Sequence, residues 1–176
     1  MASYPHDPAA HTQGLVWVDG QLYESTGLNG LSTVRRVDLS SGKVVQSRRL
    51  VESDFGEGLT AVGDRLVQST WQGHHGYVYD RTSFAPMGQF FYPTQGWGLT
   101  YDGHQLIMSD GSATLRFLDP VNYRPTRTLA VTMDGTPLTQ LNELEYIHAK
   151  SGPMCGTVTS SFASIRKPGS SPPRST

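Results

Sequence analysis

A glutamate flanked by glycines is the first feature of this sequence that could do chemistry. It is Glu57, in the run Phe55-Gly56-Glu57-Gly58-Leu59. Glycine lets the backbone turn and lets another molecule approach closely. An aromatic neighbour lowers the local dielectric, and burial raises the pKa of a carboxyl towards neutrality. A glutamate tuned in this way can give and take a proton, although a β-turn with one solvated glutamate would have the same residues.

A pattern of glycine and leucine recurs along the chain and indicates a repeated scaffold. Glycine-leucine pairs begin at residues 14, 58 and 98, and a second leucine follows seven residues after the first in each case. The residue before the glycine differs from repeat to repeat: it is Gln13, then Glu57, then Trp97. Constant scaffold positions around one variable position are what a symmetric scaffold needs to build an asymmetric site.

The spacing of turns and apolar residues predicts four short strands in each repeat. In the first repeat we expect strands over 14–18, 21–26, 32–38 and 44–51, with Asp19-Gly20 as a tight hairpin turn. A fourth repeat begins near Leu141, and the restarts at residues 14, 58, 98 and 143 are 44, 40 and 45 residues apart. This period is typical of a four-stranded blade, so the sequence predicts an all-β fold, a β-propeller of antiparallel blades.

Composition excludes several kinds of partner. The chain has 176 residues and a formal net charge of −1, with an isoelectric point near 6.6 and a mean hydropathy of −0.37. We therefore expect no nucleic-acid partner and no membrane association. Cys155 is the only cysteine, so no internal disulfide can form. No signal peptide is visible at the start, which predicts either a cytoplasmic protein or a start that lies further upstream.

The last part of the sequence departs from the repeat. We expect residues 1–149 to form a partial propeller of three repeats and the beginning of a fourth, and 150–176 to be an atypical tail. Residues 167–176 are rich in Ser, Pro and Gly, a composition typical of disorder. An alternative hypothesis is a shifted reading frame from about Lys150, because a one-base shift permits Glu-Val-Trp-Ala-Asn-Val-Trp, a strand-like run. The encoding DNA would test it.

Several short motifs together resemble the plant and bacterial type of glutaminyl-peptide cyclotransferase. The resemblance covers residues 4–148 and rests on the runs His11-Thr12-Gln13-Gly14-Leu15, Tyr23-Glu24-Ser25-Thr26-Gly27, Phe55-Gly56-Glu57-Gly58-Leu59, Thr70-Trp71-Gln72, Gly96-Trp97-Gly98-Leu99-Thr100, Ser109-Asp110-Gly111-Ser112 and Leu141-Asn142-Glu143-Leu144-Glu145. The family is a metal-independent, five-bladed propeller that is often secreted or periplasmic. It converts N-terminal glutamine of peptides and proteins to pyroglutamate and releases ammonia.

The resemblance implies a role for six residues. Glu57 matches the catalytic acid/base of the family, and the substrate-binding positions match Gln13, Phe55, Trp71, Trp97 and Asn142. A phenylalanine that the family has two places before the first glutamine is replaced here by His11, which weakens one aromatic wall. No cofactor is implied, although a propeller channel can hold a structural ion.

Other interpretations of the same residues remain open from sequence alone. Trp71 and Trp97 could fill blade cores, and His74-His75 could be a solvated loop rather than metal ligands. The aspartates that end each third strand, at residues 38, 80 and 119, are expected to cap turns. A non-catalytic propeller that binds peptides, or an inactive incomplete member of the family, would share these motifs.

Overall fold

Three consecutive four-stranded sheets, followed by a three-stranded one, make up the fold. The computed structural model describes residues 3–148, 156–160 and 163–166, and these form strands and connecting segments without a helix. The first sheet consists of β1 (Thr12–Val18), β2 (Gln21–Thr26), β3 (Thr33–Val37) and β4 (Val44–Arg49). The second consists of β5 (Gly56–Val62), β6 (Arg65–Thr70), β7 (His75–Asp80) and β8 (Pro86–Phe91).

The third and fourth sheets repeat this plan. The third contains β9 (Leu99–Tyr101), β10 (Leu106–Met108), β11 (Thr114–Leu118) and β12 (Pro125–Ala130). A small hairpin of β13 (Thr132–Met133) and β14 (Thr136–Pro137) then leads to the last sheet, β15 (Leu144–His148), β16 (Gly156–Ser160) and β17 (Ala163–Arg166). Within the described ranges, no helix is long and apolar enough to cross a membrane.

Each sheet is an antiparallel meander whose first strand lies nearest a common axis. Strands pair in chain order within every sheet. Between sheets the first strands contact one another, β1 with β5, β5 with β9 and β9 with β15. The predicted four strands per repeat are therefore confirmed for the three repeats, and their arrangement is that of propeller blades.

Aspartates end the third strands as the sequence predicts. Asp38 Oδ1 accepts hydrogen bonds from Ser40 Oγ and from the backbone N–H of Ser41. Asp80 and Asp119 bond in the same way to the backbone of the turns that follow them. A hydrogen bond from Ser41 Oγ to Asp38 Oδ1, together with those from Ser40 and from the Ser41 backbone, holds the pKa of Asp38 down to about 2. The three carboxylates thus fix the turn between the third and fourth strand of each sheet.

Apolar side chains fill the spaces between neighbouring sheets. One buried cluster joins the first two sheets, a second joins the second and third, and a third joins the third sheet to the beginning of the fourth. The clusters are Tyr23, Val34, Leu59, Leu66, Tyr79 and Phe84; Val62, Val67, Val78, Phe90, Tyr92, Leu99, Leu106, Met108 and Leu118; and Ile107, Leu115, Phe117, Val131, Leu141 and Leu144. Burial of this apolar surface holds the sheets face to face and keeps their first strands at the axis.

The fourth sheet extends into the part of the sequence that we expected to lack strands. Residues 156–160 and 163–166 form β16 and β17, and β16 pairs with β15 over Leu144–His148. The run Gly-Thr-Val-Thr-Ser of β16 contains three β-branched residues in succession, which favour a strand. Residues 167–176, predicted to be disordered, lie outside the described residues, and the boundary at 149/150 stays a prediction.

Candidate active site

All six residues predicted for the site line one cavity near the axis. The cavity has a volume of about 210 Å³ and is lined by Gln13, Phe55, Glu57, Trp71, Trp97 and Asn142. Gln13 lies in β1, Glu57 lies in β5, and Phe55 directly precedes β5. Trp71 follows β6, Trp97 precedes β9 and Asn142 precedes β15, so the six residues come from different repeats. A volume this small is below the roughly 300–1,000 Å³ of pockets for drug-sized ligands. The cavity therefore suits a ligand about the size of one amino-acid residue.

Two β-bulges aim the polar side chains of the cavity. In β1 the pairing with β2 shifts between Thr12 and Gly14, so Gln13 is the extra residue. In β5 the register with β6 shifts between Gly56 and Leu59, the stretch that contains Glu57. A bulge re-aims side chains that regular pairing would place elsewhere. The same irregularity at the same place in two repeats brings the two side chains together.

Glu57 is buried and has one side-chain hydrogen bond among the described residues. The carboxyl accepts a bond of 3.0 Å from Gln13 Nε2 to its Oε1, and the residue is 5% exposed. Burial raises the pKa of Glu57 to about 8, and the Gln13 amide offsets part of that rise. A carboxyl with a pKa near neutrality is present in both protonation states at physiological pH, as a general acid and base requires.

Aromatic rings form the wall of the cavity beside Glu57. The rings of Phe55 and Trp71 meet edge to face with centroids 5.7 Å apart. On its other side Phe55 meets the ring of His11 at 5.6 Å, also edge to face, so His11 continues the wall with a more polar ring. Phe55 packs against Gly27, where a Cβ would lie 2.2 Å from the ring. Only glycine at position 27 leaves space for this ring.

Trp71 and Trp97 are oriented by a residue that the sequence analysis missed. Both indole N–H groups donate to Oε1 of Gln95, at 2.7 Å from Trp71 and 2.9 Å from Trp97. One amide oxygen thus fixes two walls of the cavity. Both indoles are partly buried at the cavity and belong to none of the buried core clusters, so they line the site instead of filling blade cores.

Serines near the ends of two second strands hold the backbone of two other site residues. Ser69 Oγ donates to the carbonyl oxygen of Trp97 at 3.0 Å. Ser109 Oγ donates to the carbonyl oxygen of Asn142 at 2.8 Å. Both serines are fully buried and occupy the same position in successive repeats. Their equivalent positions in the repeat were the signal that could have pointed to them.

A second, half-buried carboxyl lies next to the site. Glu143 Oε1 accepts from the backbone N–H of Leu15 at 3.4 Å, and burial raises the pKa of Glu143 to about 8. Together with Thr12, Gln13, Gly14, Leu15 and Asn142 it lines an adjoining cavity of about 230 Å³. Sequence analysis counted this residue as part of the scaffold and missed its position at the site.

Other polar residues that the sequence singled out have structural partners. His75 Nε2 lies 2.8 Å from Asp54 Oδ2, and the phenol of Tyr77 donates to the same oxygen at 2.6 Å. The predicted solvated loop at His74-His75 is therefore wrong for His75, which is half buried in this cluster. Within the described residues, no group of three or more His, Cys, Asp or Glu could hold a metal ion.

Glu24, whose role the sequence left open, anchors the beginning of the chain. The fully buried carboxylate accepts from Thr12 Oγ1 at 2.6 Å and from Arg35 Nε at 2.9 Å, and it lies 3.0 Å from His6 Nε2. Arg35 in turn bonds to Asp7. None of these partners lines the cavity that contains Glu57, so Glu24 has a structural role.

The sheets and the central cavity together define a class of protein. Similar blades placed around an axis, with the site built where their first strands meet, are the design of a β-propeller. Solved structures agree, since the WD40 repeats of RRP9 match 90% of this chain and 47% of theirs with a TM-score of 0.62. At 11% identity this likeness concerns the fold alone.

The family follows from closer matches. The family model for glutamine cyclotransferase matches residues 1–152, and the chain belongs to this family. It is 43% identical over 150 residues to a glutaminyl-peptide cyclotransferase of Arabidopsis thaliana. A crystal structure of glutaminyl cyclase from Myxococcus xanthus matches with a TM-score of 0.79 and 31% identity, over 93% of this chain and 68% of that one.

The match to the Arabidopsis protein covers most of this chain but less than half of that protein. It includes 84% of this chain but 47% of the Arabidopsis protein. The chain therefore spans about half the length of that relative.

Proposed function

We propose that this chain has the active site of a glutaminyl-peptide cyclotransferase, an acyltransferase that acts on peptides and proteins with an N-terminal glutamine. The observation that carries the proposal is Glu57, a buried carboxyl with a pKa raised to about 8 at the wall of a residue-sized aromatic cavity. The reaction needs one group that takes and returns a proton inside a space that excludes water. Family membership supports the same activity.

The reaction is an intramolecular acyl transfer. The α-amine nitrogen attacks the side-chain amide carbon of the same glutamine, and a new C–N bond closes the five-membered ring. The bond from that carbon to the amide nitrogen then breaks. Ionised Glu57 takes the proton that the attacking amine loses, and the resulting acid gives it to the departing nitrogen. The products are a pyroglutamyl peptide and ammonia, so atoms and charge balance.

The rest of the cavity restrains the substrate. A free N-terminal glutamine samples many conformers, and holding the folded-back one lowers the entropic part of the barrier. Phe55, Trp71 and Trp97 are suited to this by apolar contact. Gln13 and Asn142 can donate from their amides to the oxygen that gains negative charge in the transition state. We infer that no metal or organic cofactor takes part, because addition, elimination and proton transfer are within reach of these side chains.

Ammonia release from a short peptide that begins with glutamine tests the proposal. We expect the chain to release ammonia and Glu57→Gln to lower the rate by about 10²–10⁴, the usual contribution of general acid–base catalysis. Glu52→Gln is the matched control, because it removes the same charge from an exposed side chain. Wild-type protein that binds the peptide without releasing ammonia, or equal rates in the Glu57 variant, would contradict the proposal.

A further inference from the structure

Glu143 occupies a position near the axis at which the first three repeats have a glycine. The equivalent positions are Gly14, Gly58 and Gly98. A Cβ at any of these glycines would lie 2.6 Å or less from the backbone of the next repeat. The fourth repeat instead has a charged residue with a long side chain at this position. A packing requirement for glycine is therefore absent at residue 143, and a side chain enters the region around the axis.

The side chain of Glu143 spans from the fourth repeat to the first. Its backbone directly follows Asn142, and its Oε1 accepts from Leu15 N–H on β1. The cavity that it enters is lined by Gln13 and Asn142 as well, and these two residues also line the substrate cavity. Glu143 thus connects the two strands that present the polar amides of the site.

The other oxygen of this carboxyl is unsatisfied. Oε2 of Glu143 is buried and has no hydrogen-bond partner among the described residues. A buried carboxyl in this state is much easier to keep protonated than ionised. This geometry makes the charge of Glu143 sensitive to any neighbouring charge.

The charges that act on Glu143 can be named. Besides burial, the negative charges of Glu145 on β15 and of Glu57 on β5 raise the pKa of Glu143, whereas the backbone N–H groups of Leu15 and Leu144 lower it. β1 contributes four residues to the lining of the cavity beside Glu143, and none of them has a titratable side chain: Thr12, Gln13, Gly14 and Leu15. Glu57 and Glu143 are therefore two interacting carboxyls on either side of the Gln13 and Asn142 amides, and such pairs lose their protons in coupled steps.

We propose that Glu143 is a positioning residue for the reaction: it holds Gln13 and Asn142 in place across the axis, and by staying protonated it allows Glu57 to ionise. This inference rests on the proposed function for its catalytic meaning, but the coupling of the two carboxyls does not. An ionised Glu143 would oppose the negative charge that Glu57 needs as a base.

Carboxyl titration by NMR, with ¹³C-labelled glutamate in the full chain, tests the coupling without turnover. In Glu57→Gln we expect Glu143 to titrate about 0.4 to 2 pH units lower than in the wild type, the range expected for residues in one network, because the charge of Glu57 raises the pKa of Glu143. Glu143→Gln imitates the protonated acid, so the titration of Glu57 in this variant should stay close to that of the wild type. Glu52→Gln is the matched control, since the exposed Glu52 lines neither cavity, and it should leave both titrations within about 0.2 units of the wild type.

Kinetics provide the second measurement. The acid limb of kcat/KM should stay in place in Glu143→Gln, because glutamine is neutral as protonated Glu143 is, and KM should be nearly unchanged since a glutamine oxygen can still accept from Leu15 N–H. Glu143→Ala lacks that acceptor and should raise KM. An unmoved Glu143 titration in Glu57→Gln, or an unchanged KM in Glu143→Ala, overturns the inference. Coupled titrations in a chain without turnover would instead overturn the proposed function.

Discussion

The hydrogen bond from Gln13 to Glu57 should set the pH at which the site becomes active. Gln13→Met keeps the length of the side chain but removes the donor to Glu57 Oε1. A hydrogen bond to a charged group contributes about 1.5–3 kcal/mol, and one pKa unit corresponds to about 1.4 kcal/mol. Loss of the donor disfavours the ionised form, so the pKa of Glu57 should rise by about 1 to 2 units above its value of about 8.

The sign of this shift predicts a loss of activity that depends on pH. At pH 7 about one tenth of the wild-type carboxyl is ionised, and the ionised fraction in Gln13→Met should be about 10- to 100-fold smaller. As the pH rises above 9 the variant should recover towards the wild-type rate, because the wild type is then mostly ionised at Glu57 while the ionised fraction of the variant still increases. The assay is kcat/KM for ammonia release from pH 6 to 10, with Gln21→Met as an exposed control.

One result would refute the reasoning. If Gln13→Met lost the same fraction of activity at every pH, and the NMR titration of Glu57 did not move, then Gln13 would act only on the substrate. The substrate amine titrates in the same pH range, but it does so identically for both proteins. The ratio of the two rates therefore reports the enzyme alone.

Three further predictions concern the walls and the anchor. In Gly27→Val the new Cβ meets the ring of Phe55, so we expect a raised KM and a loss of about 1–3 kcal/mol in unfolding free energy by urea titration; Gly88→Val, where a Cβ meets nothing within 4 Å, should leave both unchanged. Gln95→Leu removes the acceptor of both indoles in the cavity and should shift tryptophan fluorescence and lower kcat/KM about tenfold, from one to two lost hydrogen bonds; an unchanged emission spectrum would contradict it. Glu24→Ala leaves a buried guanidinium without its main partner and should cost about 3–5 kcal/mol of stability with kcat unaffected; chemical denaturation measures the cost, and a loss below about 1 kcal/mol would count against a structural anchor.

The parts of the fold that repeat could be predicted from sequence, because each has a local cause. Hairpin turns such as Asp19-Gly20 follow from residues that tolerate a positive φ, and both residues have one, 49° and 74°. The turns after the third strands follow from an aspartate, whose carboxylate accepts hydrogen bonds from backbone N–H groups two or three residues further along the chain. Spacing then fixes the strands between the turns. None of these features needs information from a distant part of the chain.

The polar half of the site was predictable for a different reason. Gln13, Glu57 and Trp97 differ at a position where everything around them is constant, and Asn142 stands at the same place before β15. The bulges that aim two of these side chains were not predictable, because a bulge is a relation between paired strands. Gln95 was missed for the same reason: its oxygen meets two indoles only after neighbouring repeats pack together.

Glu143 shows how the same comparison of repeats can be taken further. The sequence indicates Glu143 because it stands where the first three repeats have Gly14, Gly58 and Gly98. In the first three repeats the residue before the glycine varies and the glycine is constant. Glutamate in place of this glycine therefore resembles the boundary of a repeat. In the structure the next inner strand approaches each of these glycines too closely for a Cβ, which explains why they are constant. Glu143 then stands out as the position where a side chain is present.

Symmetry at the axis explains why a scaffold of similar blades can hold a site of unlike residues. Each first strand approaches the axis with the same backbone path, since glycine allows the next strand to pack against it. The residue before that glycine therefore always faces the same central space. Its side chain contributes little to packing between blades, so an amide, a carboxyl or an indole can occupy the position without altering the fold. Glu143 extends this principle by one residue, because where the glycine is no longer required, a second carboxyl reaches the space beside the first.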